Sequence, residues 1–190
     1  MGIRKEQKET RRNEILAAGL DLFIRRGYSS TKISDIANQV GMSTGLLFHY
    51  YESKEKLYEE LIRNGMSGPM RIMDDSNMEP IAFFEAKAKL IFDNIKSRPI
   101  LSKYFVLMNQ ARYNEAASQS VKNMLNDYDI YTLTSQLIKK GQENGTIRKG
   151  NPYALAMAYW CAIQGVAEQK AVNPDYPCPE SEWIVDILRG

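Results

Sequence analysis

The sequence predicts an all-α protein. Apolar residues recur at i, i+3, i+4 and i+7 along most of the chain, the signature of helices with one buried face. No stretch sustains the apolar/polar alternation of a half-buried strand. Gly, Pro and Asn clusters interrupt the pattern at helical intervals. With 190 residues, 44% of them hydrophobic, the chain can bury a sizeable core and is too apolar to be disordered. About nine helices are expected.

The first helix is expected from about Glu9 to Arg26, with Ile15, Leu16, Gly19, Leu20, Leu22 and Phe23 inward and Gly27 as its end. Ile33, Ile36, Ala37 and Val40 then form one stripe of a short helix. Gly41 can take positive φ without steric cost, and Ser43 can cap the helix that follows. That helix should bury Leu47 and Tyr50 and turn Thr44, Gly45, Phe48 and His49 outward. Two short helices joined by a glycine turn, with a small Ala37 at the crossing, make a helix-turn-helix, whose second helix enters the DNA major groove. Ser53 caps a fourth helix, Lys54 to about Gly65, burying Leu57, Leu61 and Ile62.

Gly65-Met-Ser-Gly-Pro69 is expected to break or kink the chain, dividing it into residues 1–64 and 65–190. Helices are expected beyond it at Ile81–Lys96, Ile100–Tyr113, Ala116–Leu125, Tyr128–Asn144, Tyr153–Val172 and Glu180–Leu188. The helix Tyr153–Val172 is apolar nearly all round and rich in alanine. It must therefore be buried on several sides, against a second copy of the chain or, as the alternative, wholly inside a monomer.

A net charge of +2 makes no strong electrostatic claim on nucleic acid. Arg4, Lys5, Lys8, Arg11 and Arg12 crowd the start, with Glu6, Glu9 and Glu14 interleaved. A phosphate-binding arm and a solvated helical turn are equally compatible with that run. Cys161 and Cys178 lack metal-ligand spacing, and a reduced cytoplasmic protein is expected. The longest apolar run, Ala154–Ile163, is far short of the ~20 residues of a membrane span. His49 has no His or Cys at helical spacing, so no metal is expected. There is no nucleophile elbow, no paired carboxylates on one face and no Gly-rich phosphate loop. Neither an enzyme nor a cofactor is expected, and no residue is assigned to catalysis.

A longer signature surrounds the helix-turn-helix. It reads Arg12-x-x-Ile15-Leu16-x-Ala18, Leu22-Phe23-x-x-x-Gly27-Tyr28 and Thr31-x-x-x-Asp35-Ile36-Ala37. It continues through Val40-Gly41-Met42-Ser43-x-Gly45-x-Leu47-Phe48-x-Tyr50-Tyr51 to Ser53-Lys54-Glu55-x-Leu57. On these motifs, residues 9–64 resemble the N-terminal domain of the tetracycline-repressor (TetR) family of bacterial transcription regulators.

The resemblance implies an N-terminal three-helix DNA-binding domain, with the helix-turn-helix at about residues 32–51, followed by a helical ligand-binding and dimerisation domain. It places Thr44, Gly45 and Leu46 nearest the base edges. His49 and Tyr50 would flank the sugar-phosphate backbone, Lys54 would meet a phosphate as a point charge, and Ser34 could reach the groove edge; Ser43 and Phe48 complete the DNA-binding candidates. Phe48 stands where the family usually has Tyr, so one hydroxyl is missing. Leu46 is apolar where a base could be read, though it can still meet a thymine methyl.

In the second domain, Phe84, Phe92, Tyr104, Phe105, Met108, Arg112, Tyr131, Trp160 and Gln164 are candidates to line an effector cavity, with ordinary core as the competing reading. Leu155, Tyr159, Ala162, Val166, Ile184, Ile187 and Leu188 are candidates for a two-fold interface. The expected function is a homodimeric regulator, a repressor before an activator. It would bind a palindromic operator in double-stranded DNA and be released by a small-molecule effector, without a membrane partner. The alternative is a small-molecule sequestering protein whose DNA head is vestigial, suggested by the small net charge and by Phe48.

Overall fold

The computed structural model describes residues 2–70, 78–127 and 129–190, and their side chains except at 3, 4 and 68–70. Arg4 of the basic run and Tyr128 of the eighth expected helix therefore lie outside the described side chains. Among the described residues there are ten helices and no strand. In order they are α1 (Gly2–Arg26), α2 (Ile33–Gln39), α3 (Thr44–Phe48), α4 (Lys54–Met70), α5 (Pro80–Ser97), α6 (Ile100–Arg112), α7 (Gln119–Asn126), α8 (Ile130–Glu143), α9 (Pro152–Val172) and α10 (Ser181–Val185).

Capping chemistry sets several starts. The Ser118 hydroxyl accepts from the Val121 N–H, so α7 opens at Gln119 and not at Ala116. The Asp129 carboxylate accepts from the Tyr131 and Thr132 amides and opens α8. Asn151 caps α9, with Pro152 at the first position, where a missing N–H costs nothing.

Two boundaries differ more. α1 starts at Gly2, seven residues ahead of the expected Glu9, and residues 5–11 are exposed. α4 does not end at Gly65 but continues to Met70. The absence of a side chain at Gly65 serves packing. A Cβ there would lie 2.8 Å from Met108 Sδ and 2.9 Å from Met108 Cγ of α6, so glycine lets the two helices close up.

One apolar core runs through the chain. At the N-terminal end it holds Ile15, Leu20, Ile36, Leu47, Leu57, Leu61 and Ile62, all fully buried. Each such side chain contributes about 1.5–3 kcal/mol by burial. Beyond α4 the core holds Phe84, Ala88, Phe92, Ile138, Ala156, Tyr159 and Ile163. α6 joins the two ends: it packs on α1 and α4, and also on α9. α9 in turn packs against α8, and α10 against α5.

This packing revises several expectations. Tyr159 is completely buried, and its hydroxyl donates to the Phe84 carbonyl at 2.6 Å. Ile184 and Leu188 are also buried within the chain. These three serve the chain's own core and leave little or no surface for a partner. Leu155, Ala162, Val166 and Ile187 are half-buried against the same core. The exposed strip of α9 lies beside them and comprises Ala154, Met157, Ala158, Cys161 and Gly165.

Phe84, Phe92 and Trp160 are core residues as well. Phe84 stacks edge-on to Phe83 and Tyr159, and the Trp160 indole N–H donates to Thr134 Oγ1 at 3.0 Å. Tyr104, Phe105, Met108 and Tyr131 are half-buried. Gln164, also half-buried, donates through Nε2 to the Phe105 carbonyl and to Glu168. Arg112 is exposed at the end of α6 and does not point inward. Against the opposing effect of burial, hydrogen bonds from Thr132 and Tyr131 hold the Asp129 carboxyl below the usual range, with a smaller contribution from the Arg112 charge.

Candidate nucleic-acid interface

The α2–turn–α3 unit is built by short-range chemistry. The Asp35 carboxylate accepts from the Lys32 N–H at 3.0 Å and fixes the start of α2. Gly41 has φ of 65°, and its N–H donates to Asn38 O while that of Met42 donates to Ala37 O. The chain thus leaves α2 through a left-handed residue that glycine adopts freely. Ser43 Oγ then accepts from the Leu46 N–H at 3.2 Å. Ile36, Ala37 and Leu47 are completely buried where the two helices cross.

α3 is shorter than expected: it is helical over Thr44–Phe48, and His49 and Tyr50 continue as a turn. Gly45, Leu46, Phe48 and His49 are exposed, as is the backbone-capping Ser43. Thr44, Tyr50 and Ser34 are half-buried. Leu46 and Phe48 expose 47% and 46% of their surface, an unusual cost for two large apolar residues on a five-residue helix.

Lys54 does not stand free at the helix terminus. Its ammonium donates to the Tyr28 and Thr31 carbonyls, both at 2.8 Å, and lies 4.2 Å from the Tyr28 ring centroid. Burial pulls its pKa below the usual lysine value. The expected phosphate ligand is thus turned inward as a strut between α4 and the loop that leads into α2. On the other side of that loop, Thr31 is fully buried and its hydroxyl donates to the Gly27 carbonyl at 2.8 Å.

Arg12 is likewise engaged. Its guanidinium donates to Glu60 at 2.5 Å and to the Tyr51 hydroxyl at 3.2 Å, which raises its pKa further. Burial pushes the Tyr51 hydroxyl up to about 12, against the opposing pull of that bond. Of the basic run, Lys5, Lys8 and Arg11 are exposed, with Arg11 paired to Glu14 at 2.6 Å.

Other contacts left no trace in the motifs. Lys103 of α6 donates to Asp21 of α1 at 2.7 Å, and Gln110 of α6 donates to the Ile24 carbonyl at 3.1 Å. Both span more than eighty positions of sequence, and no local pattern announces them. Among the described residues no group of three or more His, Cys, Asp or Glu could hold a metal ion. No helix there is long and apolar enough to cross a membrane.

Residues 15–61 match the family of bacterial regulatory proteins described as the tetR family. The chain is 32% identical over 176 residues to the HTH-type transcriptional repressor KstR2 of Rhodococcus jostii (strain RHA1), an alignment covering 88% of this chain and 85% of the relative. The chain belongs to the TetR family.

Solved structures agree on the TetR-family fold. The MbdR regulator from Azoarcus sp. CIB superposes with a TM-score of 0.74 at 19% identity, covering 94% of this chain and 96% of that one. AibR, crystallised with isovaleryl coenzyme A and operator DNA, superposes with a TM-score of 0.66 at 18% identity, covering 93% and 94%. Like its family, this TetR-family chain is a DNA-binding transcription regulator.

Proposed function

We propose that this regulator is a homodimeric repressor that binds a palindromic operator and leaves it when a small molecule binds. The carrying observation is the mounting of α3. Its exposed Leu46 and Phe48 project from a unit whose entering loop is tied down by hydrogen bonds of Lys54 and Thr31, so contacts outside α3 set the placement of the reading surface. In this reading residues 1–64 form the DNA-binding domain and 65–190 the effector and dimerisation domain. Thr44, Gly45 and Leu46 meet base edges, while His49 and Tyr50 flank the backbone. Two copies would place their α3 helices about 34–36 Å apart, one turn of DNA.

The relatives support the repressor and effector halves of this reading: KstR2 is named a repressor, and AibR is seen with an acyl-CoA and with operator DNA. α6 gives a physical route between the halves, because it touches α1 through Lys103 and Gln110 and α9 through packing. An effector that prefers one placement of α6 lowers DNA affinity by its differential affinity for the two states. The protein acts in the cytoplasm and carries no catalytic activity of its own. Anisotropy titration against DNA flanking its own gene tests the proposal. Tight, sequence-dependent binding at ~0.1 M salt is expected, and equal affinity for scrambled DNA would overturn it.

A further inference from the structure

The inward stripe of α1 holds Ile15, Leu16, Gly19 and Phe23, all buried. Followed backwards at helical spacing, the same stripe passes through Arg12 to Lys8 and Lys5, four and seven residues before it. One face of α1 is thus apolar where it covers the domain and basic where it leaves it.

Arg12 marks the point of departure. Its guanidinium donates to the Tyr51 hydroxyl and to Glu60. Tyr51 directly follows His49 and Tyr50, which close the reading helix. This face of α1 therefore borders the link between α3 and α4. From there the helix runs on over residues 2–11, about 15 Å at 1.5 Å per residue. The side chains of residues 5–11 are all exposed, so no described part of the chain covers this overhang.

The charges on the overhang are sorted by side. Neither Lys5 nor Lys8 forms an ion pair with a described residue. Glu6 and Glu14 fall on other faces, Glu14 bound to Arg11 at 2.6 Å, and Glu9 lies at the border of the stripe. Two ammonium groups one turn apart repel each other. A surface of closely spaced negative charge satisfies both, and duplex DNA carries one charge per ~1.7 Å of its axis. The flexible stems of the lysines suit them to phosphates as point charges.

We propose that the first turns of α1 clamp the DNA backbone, with Lys5 and Lys8 on operator phosphates next to those met at the end of α3. The inference rests on the DNA-binding reading above and adds a contact surface outside the helix-turn-helix. Of the two readings open to the basic run, the stripe selects the phosphate-binding arm over the solvated turn. The clamp is indifferent to sequence, because an ammonium group here meets phosphate charge and no base edge. It also places charge where a chain of net charge +2 can use it.

The probe is a short duplex that the full wild-type chain selects from a random-sequence pool, followed by anisotropy over a range of salt. Lys5→Gln/Lys8→Gln, at two exposed positions, should leave the fold intact. Affinity at ~0.1 M salt should fall at least roughly tenfold, and the slope of log affinity against log salt should be shallower by about 1.8 for each chain bound. The loss should vanish near ~1 M salt, where phosphate contacts are screened. Adding Gln7→Lys and Thr10→Lys to that variant restores the net charge on the outer side of the helix, and should not restore the slope. An unchanged slope in the double variant, a loss that persists near ~1 M salt, or full rescue by the outer lysines would each overturn the clamp while the DNA-binding reading stands. A wild-type chain that selects no duplex would overturn both.

Discussion

Lys103 and Asp21 meet at 2.7 Å across 82 positions of sequence, tying α6 to the helix that opens the chain. Their side chains are 32% and 20% exposed, so solvent screens the pair only in part. The lysine is the main cause of the lowered pKa of Asp21. Replacing Lys103 with Ala should cost about 1 kcal/mol near neutral pH and lower Tm by about 2–4 °C. The unfolded carboxylate protonates near pH ~3.9 and the folded one at lower pH. The stabilisation is therefore complete above about pH 4 and fades as pH falls through the folded value. Thermal melts of both proteins should show a gap at pH 7 that narrows below that point.

Lys54 separates positioning from contact. Losing two hydrogen bonds and a cation–π contact, Lys54→Ala should lose about 2 kcal/mol of stability. DNA affinity should fall because the loop into α2 is released. The slope of log affinity against log salt should stay that of the wild type, since the ammonium is turned to carbonyls. A slope shallower by ~0.9 would show instead that Lys54 neutralises a phosphate.

Gly165 lies on the exposed strip of α9, where an added Cβ meets nothing within 4 Å. Gly165→Arg should leave the protomer folded and shift sedimentation from dimer to monomer. Tyr159→Phe should behave in the opposite way. It loses the bond to the Phe84 carbonyl and about 1 kcal/mol of stability, while the dimer persists. A dimer that survives Gly165→Arg would place the interface elsewhere.

Leu46, at 47% exposure, has no hydrogen bond to give a base. If it reads a thymine methyl, replacing the contacted thymine by uracil should weaken wild-type binding roughly fourfold. The same replacement should leave binding by Leu46→Ala unchanged. Equal losses in both proteins would assign the methyl effect to another residue.

The DNA-reading unit was legible because its determinants are local. Gly41 adopts the positive φ its place demanded, and Ser43 caps the helix it precedes. Of the stripe Ile33, Ile36, Ala37 and Val40, the middle two are fully buried and the outer two half-buried, and Leu47 of α3 is fully buried against them. The end of α4 was not legible. Glycine disfavours a helix interior by only ~1 kcal/mol, a small cost beside the packing of α4 along α6. A lysine at a helix start has the look of a free charge, and nothing in the neighbours of Lys54 says that two carbonyls from residues 28 and 31 wait beside it.

The faces of α9 show the same limit. A helix apolar all round has no preferred inner side, so the sequence could not say that Tyr159 turns inward while Met157 and Gly165 turn out. The sequence by itself determined the helical class, the helix-turn-helix and the family, because periodicity, caps and turn residues act within a few positions. Tertiary structure alone decided which charges are struts and which aromatics are core. Those outcomes depend on contacts between residues far apart in the chain, and their energies belong to the packed whole.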